Sequence, residues 1–220
     1  MTTPLIEVAG LRHEIGGRIV LDLPAWRVEA GRHCLLLGPS GSGKTTLMHA
    51  LAGLKRPTAG RVTVAGQDLG ALPGPALDVF RGRTVGIVFQ TLHLVAALSL
   101  ADNLRLAQWL AGLPQDREAV RAALDGVGLG DRLAARPHEL SHGEQQRAAI
   151  ARAVVNGPRL ILADEPTSAL DDANCARVVE LLMERAAACG ATLVIATHDG
   201  RLKDRFADRL DLAAQGRRAP

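Results

Sequence analysis

An α/β fold with a mainly parallel core sheet, an antiparallel β flank and an inserted helical subdomain is predicted by three features of the chain. First, short apolar runs at 35–37, 85–89, 159–163 and 192–196 are separated by helical patterns, the alternation of a parallel sheet covered on both faces. Second, residues 5–15 and 19–28 are β-rich runs on either side of Gly16-Gly17, a hairpin signal. Third, from about 91 to 155 the pattern turns mostly helical, as an insertion standing beside the sheet. The 220 residues suffice for one domain holding all three parts.

In chain order, Ala30-Gly31 turns the hairpin into the strand at 35–37, and 46–51 continues as a helix. Residues 55–60 form a loop, and 61–65 alternate as a short strand closed by Gly66. Residues 70–78, rich in Gly and Pro, are expected to be irregular. The strand at 85–89 ends on Gln90. Helical spacing runs from Ser99 to about Val127, with breaks at Gly112-Leu113-Pro114 and at 126–130. A further helix follows Ser141, and the buried strand 159–163 leads into Asp164-Glu165-Pro166. A helix at 172–188, a strand at 192–196 and a short final helix and strand complete the chain.

Composition narrows the class. Hydrophobic residues make up 47%, so a large core is available, and with 2% aromatics and no Tyr it must be aliphatic. The net charge of +3 is mild and gives no case for a nucleic-acid partner; Arg217-Arg218 reads as a solvated tail. Cys34, Cys175 and Cys189 are odd in number and form no C-x-x-C pair, which suits a reduced, cytosolic protein. Met1-Thr2-Thr3-Pro4 carries no basic-then-apolar leader pattern. The most apolar long window, 94–113, has Asp102 and Arg105 at its middle and reads as amphipathic rather than membrane-spanning.

The chemistry begins at Gly38-Pro39-Ser40-Gly41-Ser42-Gly43-Lys44-Thr45, a full match to G-x-x-x-x-G-K-[ST] in the strand–loop–helix context that motif requires. Glycines let backbone N–H groups curl inward on phosphate oxygens, and the helix N-terminus adds partial positive charge. Lys44 can reach the β- and γ-phosphates, and the Thr45 hydroxyl can ligate Mg²⁺. Further along, an apolar strand delivers Asp164 and Glu165 at its C-terminal end, where open α/β sheets bind ligands. Asp164 suits a metal and Glu165 suits a water-polarising base, although two acids closing a strand can equally be a solvated turn. Ser141-x-x-Glu144, ahead of an alanine-rich helix, is a capping box that needs no ligand, and the same helix start can also bind phosphate.

With these residues in view, the chain resembles the ATP-binding-cassette ATPases of the P-loop NTPase fold over nearly its whole length. Residues 38–45 match the Walker A loop, Gln90 the Q-loop glutamine, 140–144 the signature motif and 160–165 the Walker B strand. Ser168-Ala169-Leu170-Asp171 matches the D-loop, and His198 the switch histidine. Finer similarity, at 64–69, 88–94 and 101–104 and in Glu144 for the commoner Gln, points to the lipoprotein-releasing and macrolide-exporting (MacB/LolD-like) branch. The resemblance implies ATP held by Gly38, Pro39, Ser40, Gly41, Ser42, Gly43, Lys44, Thr45 and Thr46, with Ile15 against adenine. It implies Mg²⁺ on Thr45, Gln90 and Asp164, and catalysis by Glu165, His198, Gln90 and Lys44. Ser141 and Gly143, with Asp171, would complete the site across a homodimer. A separate integral membrane permease would be powered from the cytoplasmic face of the inner membrane, with export-type transport of a lipoprotein, lipid, peptide or drug-like substrate.

Two departures stand out. His142 replaces the first signature glycine: if that position needs φ > 0 the side chain is costly, and with an ordinary backbone angle the imidazole is free to contact nucleotide. Ile15 stands where the family places an aromatic, giving up part of a stacking contribution of roughly 1–3 kcal/mol. A soluble cassette ATPase acting on ribosomes or DNA is the alternative, though the chain has neither a second cassette nor a coiled-coil insertion. A small-molecule kinase would leave 140–144 and His198 unexplained.

Overall fold

A computed structural model describes residues 4–168 and 170–212. The expectations for Met1-Thr2-Thr3, Ala169 and Arg217-Arg218 fall outside the described residues. Five short strands form the central sheet: β3 (Cys34–Leu37), β6 (Val85–Val88), β7 (Leu160–Asp164), β8 (Thr192–Thr197) and β9 (Asp208–Asp211). Their order is β6-β7-β8-β3-β9, with every neighbouring pair parallel. Strands β1 (Ile6–Ile15), β2 (Arg18–Val28), β4 (Ala59–Val64) and β5 (Gln67–Asp68) make a separate antiparallel sheet in the order β2-β1-β4-β5. The β1–β2 hairpin turns on Gly16 and Gly17 at φ +58° and +76°, the left-handed pair a tight two-residue turn demands.

Alternation along β3 divides the core. Leu35 and Leu37 belong to one buried cluster, Cys34 and Leu36 to the other. The first cluster packs the sheet against α3 (Leu100–Leu110), α4 (Arg117–Asp125), α5 (His142–Val154) and α6 (Asp172–Cys189); the second packs it against α1 (Lys44–Leu51) and the antiparallel sheet. The largest fully buried side chains are all Leu or Ile, each contributing roughly 1.5–3 kcal/mol by leaving water. Among the described residues no helix is long and apolar enough to cross a membrane.

The helices at 91–155 begin where side chains cap them. Ser99 accepts from the Asp102 N–H, Asp116 from Glu118 and Ala119, and Ser141 from Glu144, each satisfying an amide the helix leaves orphaned. The buried Asn103 amide ties the loop before α3 to the helix through Val95 N–H and the Val95, Leu98 and Ser99 carbonyls.

One expectation is corrected: residues 70–78 are not irregular throughout, because α2 (Gly74–Thr84) starts within them. Pro75 sits in the first turn, where its missing N–H costs nothing. Gly82 lies inside α2 because a Cβ there would meet the Ala111 Cβ at 2.8 Å, so the glycine lets α2 approach the end of α3.

Helix α5 packs tightly onto the sheet at Gly86 of β6, where an added Cβ would meet the Ala153 carbonyl oxygen at 2.1 Å. Gly86→Ala is therefore expected to destabilise the chain by about 1–3 kcal/mol, lowering the thermal midpoint by roughly 2–4 °C per kcal/mol. Thermal denaturation followed by circular dichroism checks it.

Candidate active site

The loop 38–43 joins β3 to α1. Gly41 and Gly43 take φ +79° and +93°, and a Cβ at Gly43 would lie 2.7 Å from the Val20 carbonyl, so the tight curl needs glycine there. No side chain caps α1, and its first turn holds no acidic residue. Its leading N–H groups and dipole are left for an anion. Lys44 is buried and donates to the Gly38 and Pro39 carbonyls at 2.7 and 3.1 Å; its Nζ also lies 3.3 Å from Glu165 Oε1.

Beside this loop is a cavity of about 320 Å³ lined by Val20, Ser40, Gly41, Gly43, Lys44, Thr45, Thr46, Gln90, Glu165 and His198. The parallel register places these groups together: β8 lies next to β3 in the sheet and β7 next to β8, and the C-terminal ends of β7 and β8 carry Asp164, Glu165 and His198.

Glu165 follows β7 in a left-handed conformation, φ +48°, which a non-glycine residue adopts only when its surroundings hold it. Its N–H donates to the Ala196 carbonyl at 2.8 Å, Thr197 Oγ1 donates to Oε2 at 3.1 Å, and His198 Nδ1 lies 3.0 Å from both carboxylate oxygens. Burial raises the Glu165 pKa, but the His198 hydrogen bond, the Lys44 charge and the Thr197 bond outweigh it and hold the carboxyl below its usual range. Asp164 goes the other way: burial raises its pKa and the neighbouring Glu165 charge adds to that, against the Thr45 hydrogen bond, His49 and Lys44. Among the described residues, Asp164 Oδ1 is buried without a hydrogen-bond partner. An orphaned hard oxygen beside a threonine hydroxyl fits Mg²⁺, which takes one or two carboxylates and completes its shell with water and substrate phosphates.

Other sequence-predicted residues stand apart from the cavity lining. Ser141 and Gly143 open α5, both exposed, and Asp171 caps α6 by accepting from the Asn174 N–H. Ile15, at the end of β1, is 52% exposed. His142 is the first residue of α5 and is not among the non-glycine residues of positive φ, so its backbone angle is ordinary. Neither does Gly143 take a positive φ or meet a neighbour where a Cβ would stand. Val20 and Thr197 carry no motif signal of their own; Val20 enters the lining from the antiparallel sheet, and Thr197, fully buried behind it, acts through its bond to Glu165.

Residues 21–168 match the model of the ABC transporter family. The chain belongs to the ABC transporter family. Among curated relatives, the lipoprotein-releasing system ATP-binding protein LolD of Anaeromyxobacter dehalogenans is 43% identical over 99% of this chain and 93% of that protein. The macrolide export ATP-binding/permease protein MacB of Nitrosomonas europaea is 41% identical over 98% of this chain, which spans 32% of MacB. Among solved structures, the dimeric post-hydrolysis state of the ATP-binding cassette MJ0796 bound to ADP and Pi superposes with a TM-score of 0.83 at 30% identity, covering 94% of this chain and 93% of that one. The fold is that of an ABC ATP-binding cassette, a P-loop NTPase.

Because Asp164 binds its proton more tightly in the folded chain, its contribution to stability is present in acid and lost as pH rises through the raised folded pKa. Without nucleotide or metal, Asp164→Asn is expected to melt above the parent at neutral pH, with the gap closing towards acid. Thermal melts of both proteins across pH 4–8 check this.

Proposed function

We propose that this cassette binds and hydrolyses ATP between two copies of itself and so powers a separate membrane permease. The observation that carries the reading is an incomplete cavity. The phosphate loop, Gln90, Glu165 and His198 converge on it, while Ser141 and Gly143 open a different helix with their faces exposed. Two-fold pairing, the commonest symmetry of oligomers, lets each copy offer its α5 start to the other's nucleotide. The dimeric state of the similar MJ0796 structures supports the same arrangement.

In this reading the loop 38–46 cradles the triphosphate, with Ile15 and Val20 as aliphatic surface near the base. Asp164, Thr45 and Gln90 would hold Mg²⁺, which supplies charge neutralisation on the phosphate oxygens. Lys44 exchanges its loop carbonyls and Glu165 for phosphate oxygens. Glu165, held ionised by its neighbours, orients the attacking water and takes its proton; Lys44 and His198 stabilise charge on the γ-phosphoryl oxygens as the bond to the leaving diphosphate breaks. Ser141 and Gly143 of the second copy close the site, with Asp171 near the same boundary. Hydrolysis then removes what holds the copies together, and opening and closing is the motion passed to the permease.

A cavity of about 460 Å³ between α2, β6, α3 and α5, lined in part by Leu54, Ile87, Phe89 and Leu110, is suited to a cytoplasmic helix of that permease. Trp109 and Leu110 are more than half exposed beside it. In this reading the cassette works at the cytoplasmic face of the inner membrane, with no nucleic-acid partner. Likeness to lipoprotein-releasing and macrolide-export systems supports an export direction.

Glu165→Gln is expected to lower turnover by about 10²–10⁴-fold while forming a dimer at saturating ATP. Gel filtration with and without ATP reads this directly, and a variant that stays monomeric would remove the basis for the reading. Adding Ser141→Ala to Glu165→Gln is expected to weaken that dimer.

A further inference from the structure

Helix α5 does more than present Ser141. Along its length, polar side chains bind backbone carbonyls of the two loops that hold the hydrolytic groups. Gln146, buried, donates from Nε2 to the carbonyl of Pro166, one residue past Glu165. Arg152 donates from Nη1 to the His93 carbonyl and from Nη2 to the Leu92 carbonyl at 2.9 Å, three and two residues past Gln90. Beyond the helix end, Asn156 Nδ2 bonds the carbonyls of Gly82 in α2 and Ala107 in α3 at 2.8 and 3.2 Å.

The Arg152 contact is unusual in kind. Burial lowers the pKa of its guanidinium, so the charge sits where it is costly, and both partners are neutral carbonyls about sixty residues away in sequence. One of those partners, His93, holds a left-handed backbone at φ +49°, with its ring edge-on to Phe89 at 5.2 Å. A non-glycine residue keeps that conformation only when its neighbours over-determine it. The planar fork of Arg, bridging two consecutive carbonyls, is one such restraint; Lys, with a single point charge on a flexible stem, cannot reproduce the bridge.

We infer that Arg152 is a positioning residue that ties the Gln90 loop to α5, so that the seating of Ser141 on a second copy's nucleotide is felt by the chain's own hydrolytic groups. This rests on the composite-site reading proposed above. Among the described residues Arg152 makes no hydrogen bond to the phosphate loop, so its loss should leave ATP binding alone and act on turnover.

The test compares Arg152→Met, which keeps volume and removes the half-buried charge, with Arg152→Lys. Expected for Arg152→Met are at least tenfold lower turnover, ATP affinity within twofold of the parent, and faster amide hydrogen exchange at 91–95 but not at 38–45. Arg152→Lys is expected to fall between, and decides alone should the Met variant fail to fold. Parent-like turnover and loop exchange in Arg152→Lys or Arg152→Met would overturn the inference. So would turnover and ATP affinity falling together with exchange rising at both segments, the pattern of general loosening. Failure of Glu165→Gln to dimerise would instead sink the composite site itself, so the two readings are separable.

Discussion

The C-terminal edge of the parallel sheet is organised by the pairing of two nearly buried charges, Lys44 and Glu165, with side chains 6% and 11% exposed and 3.3 Å apart. Either charge alone at that depth would carry a desolvation penalty of several kcal/mol. Paired, each also makes further polar contacts. The ammonium donates to the Gly38 and Pro39 carbonyls and faces Glu165 as an ion pair. The carboxylate accepts from Thr197 and faces His198 across 3.0 Å. The left-handed turn at Glu165 is what carries the chain off β7 and aims the carboxylate at this partner. A triphosphate entering the cavity therefore meets a lysine already held by two carbonyls and a carboxylate, and binding is an exchange of partners rather than the capture of a bare cation. Asp164 differs in having an unpartnered oxygen, so the two adjacent carboxylates are prepared for different tasks by their surroundings.

Much of this was legible in the residues, for identifiable reasons. The strands of the parallel sheet are short, aliphatic and bounded by turn residues, so their apolar runs stand out, and the glycines of the phosphate loop sit where the backbone angles demand them. Helix α2 was not legible, because Gly and Pro are read as breakers unless the first-turn tolerance of Pro and the tight α2–α3 approach at Gly82 are known in advance. The place of Val20 in the cavity lining was equally hidden. It depends on how the antiparallel sheet packs beside α1, which is long-range information. His142 marks the opposite case: the sequence posed a choice between two backbone states, and the helical start of α5 settles it in favour of the ordinary one.

The capping box at the start of α5 shows how one residue can serve the fold and still be available for chemistry. Ser141 Oγ accepts from the Glu144 N–H at 3.3 Å and donates its own proton to Glu144 Oε2 at 2.7 Å, while the Ser141 N–H reaches the same carboxylate oxygen at 2.9 Å. The helix needs only the accepted bond and the backbone bond; the hydroxyl proton is surplus to capping. A phosphate oxygen presented by another molecule can take that proton without unwinding the helix, provided it displaces one carboxylate contact. Capping and ligand binding are therefore compatible at Ser141 because they use different parts of the same hydroxyl, and the cost of switching is a single charge-assisted bond on an exposed surface.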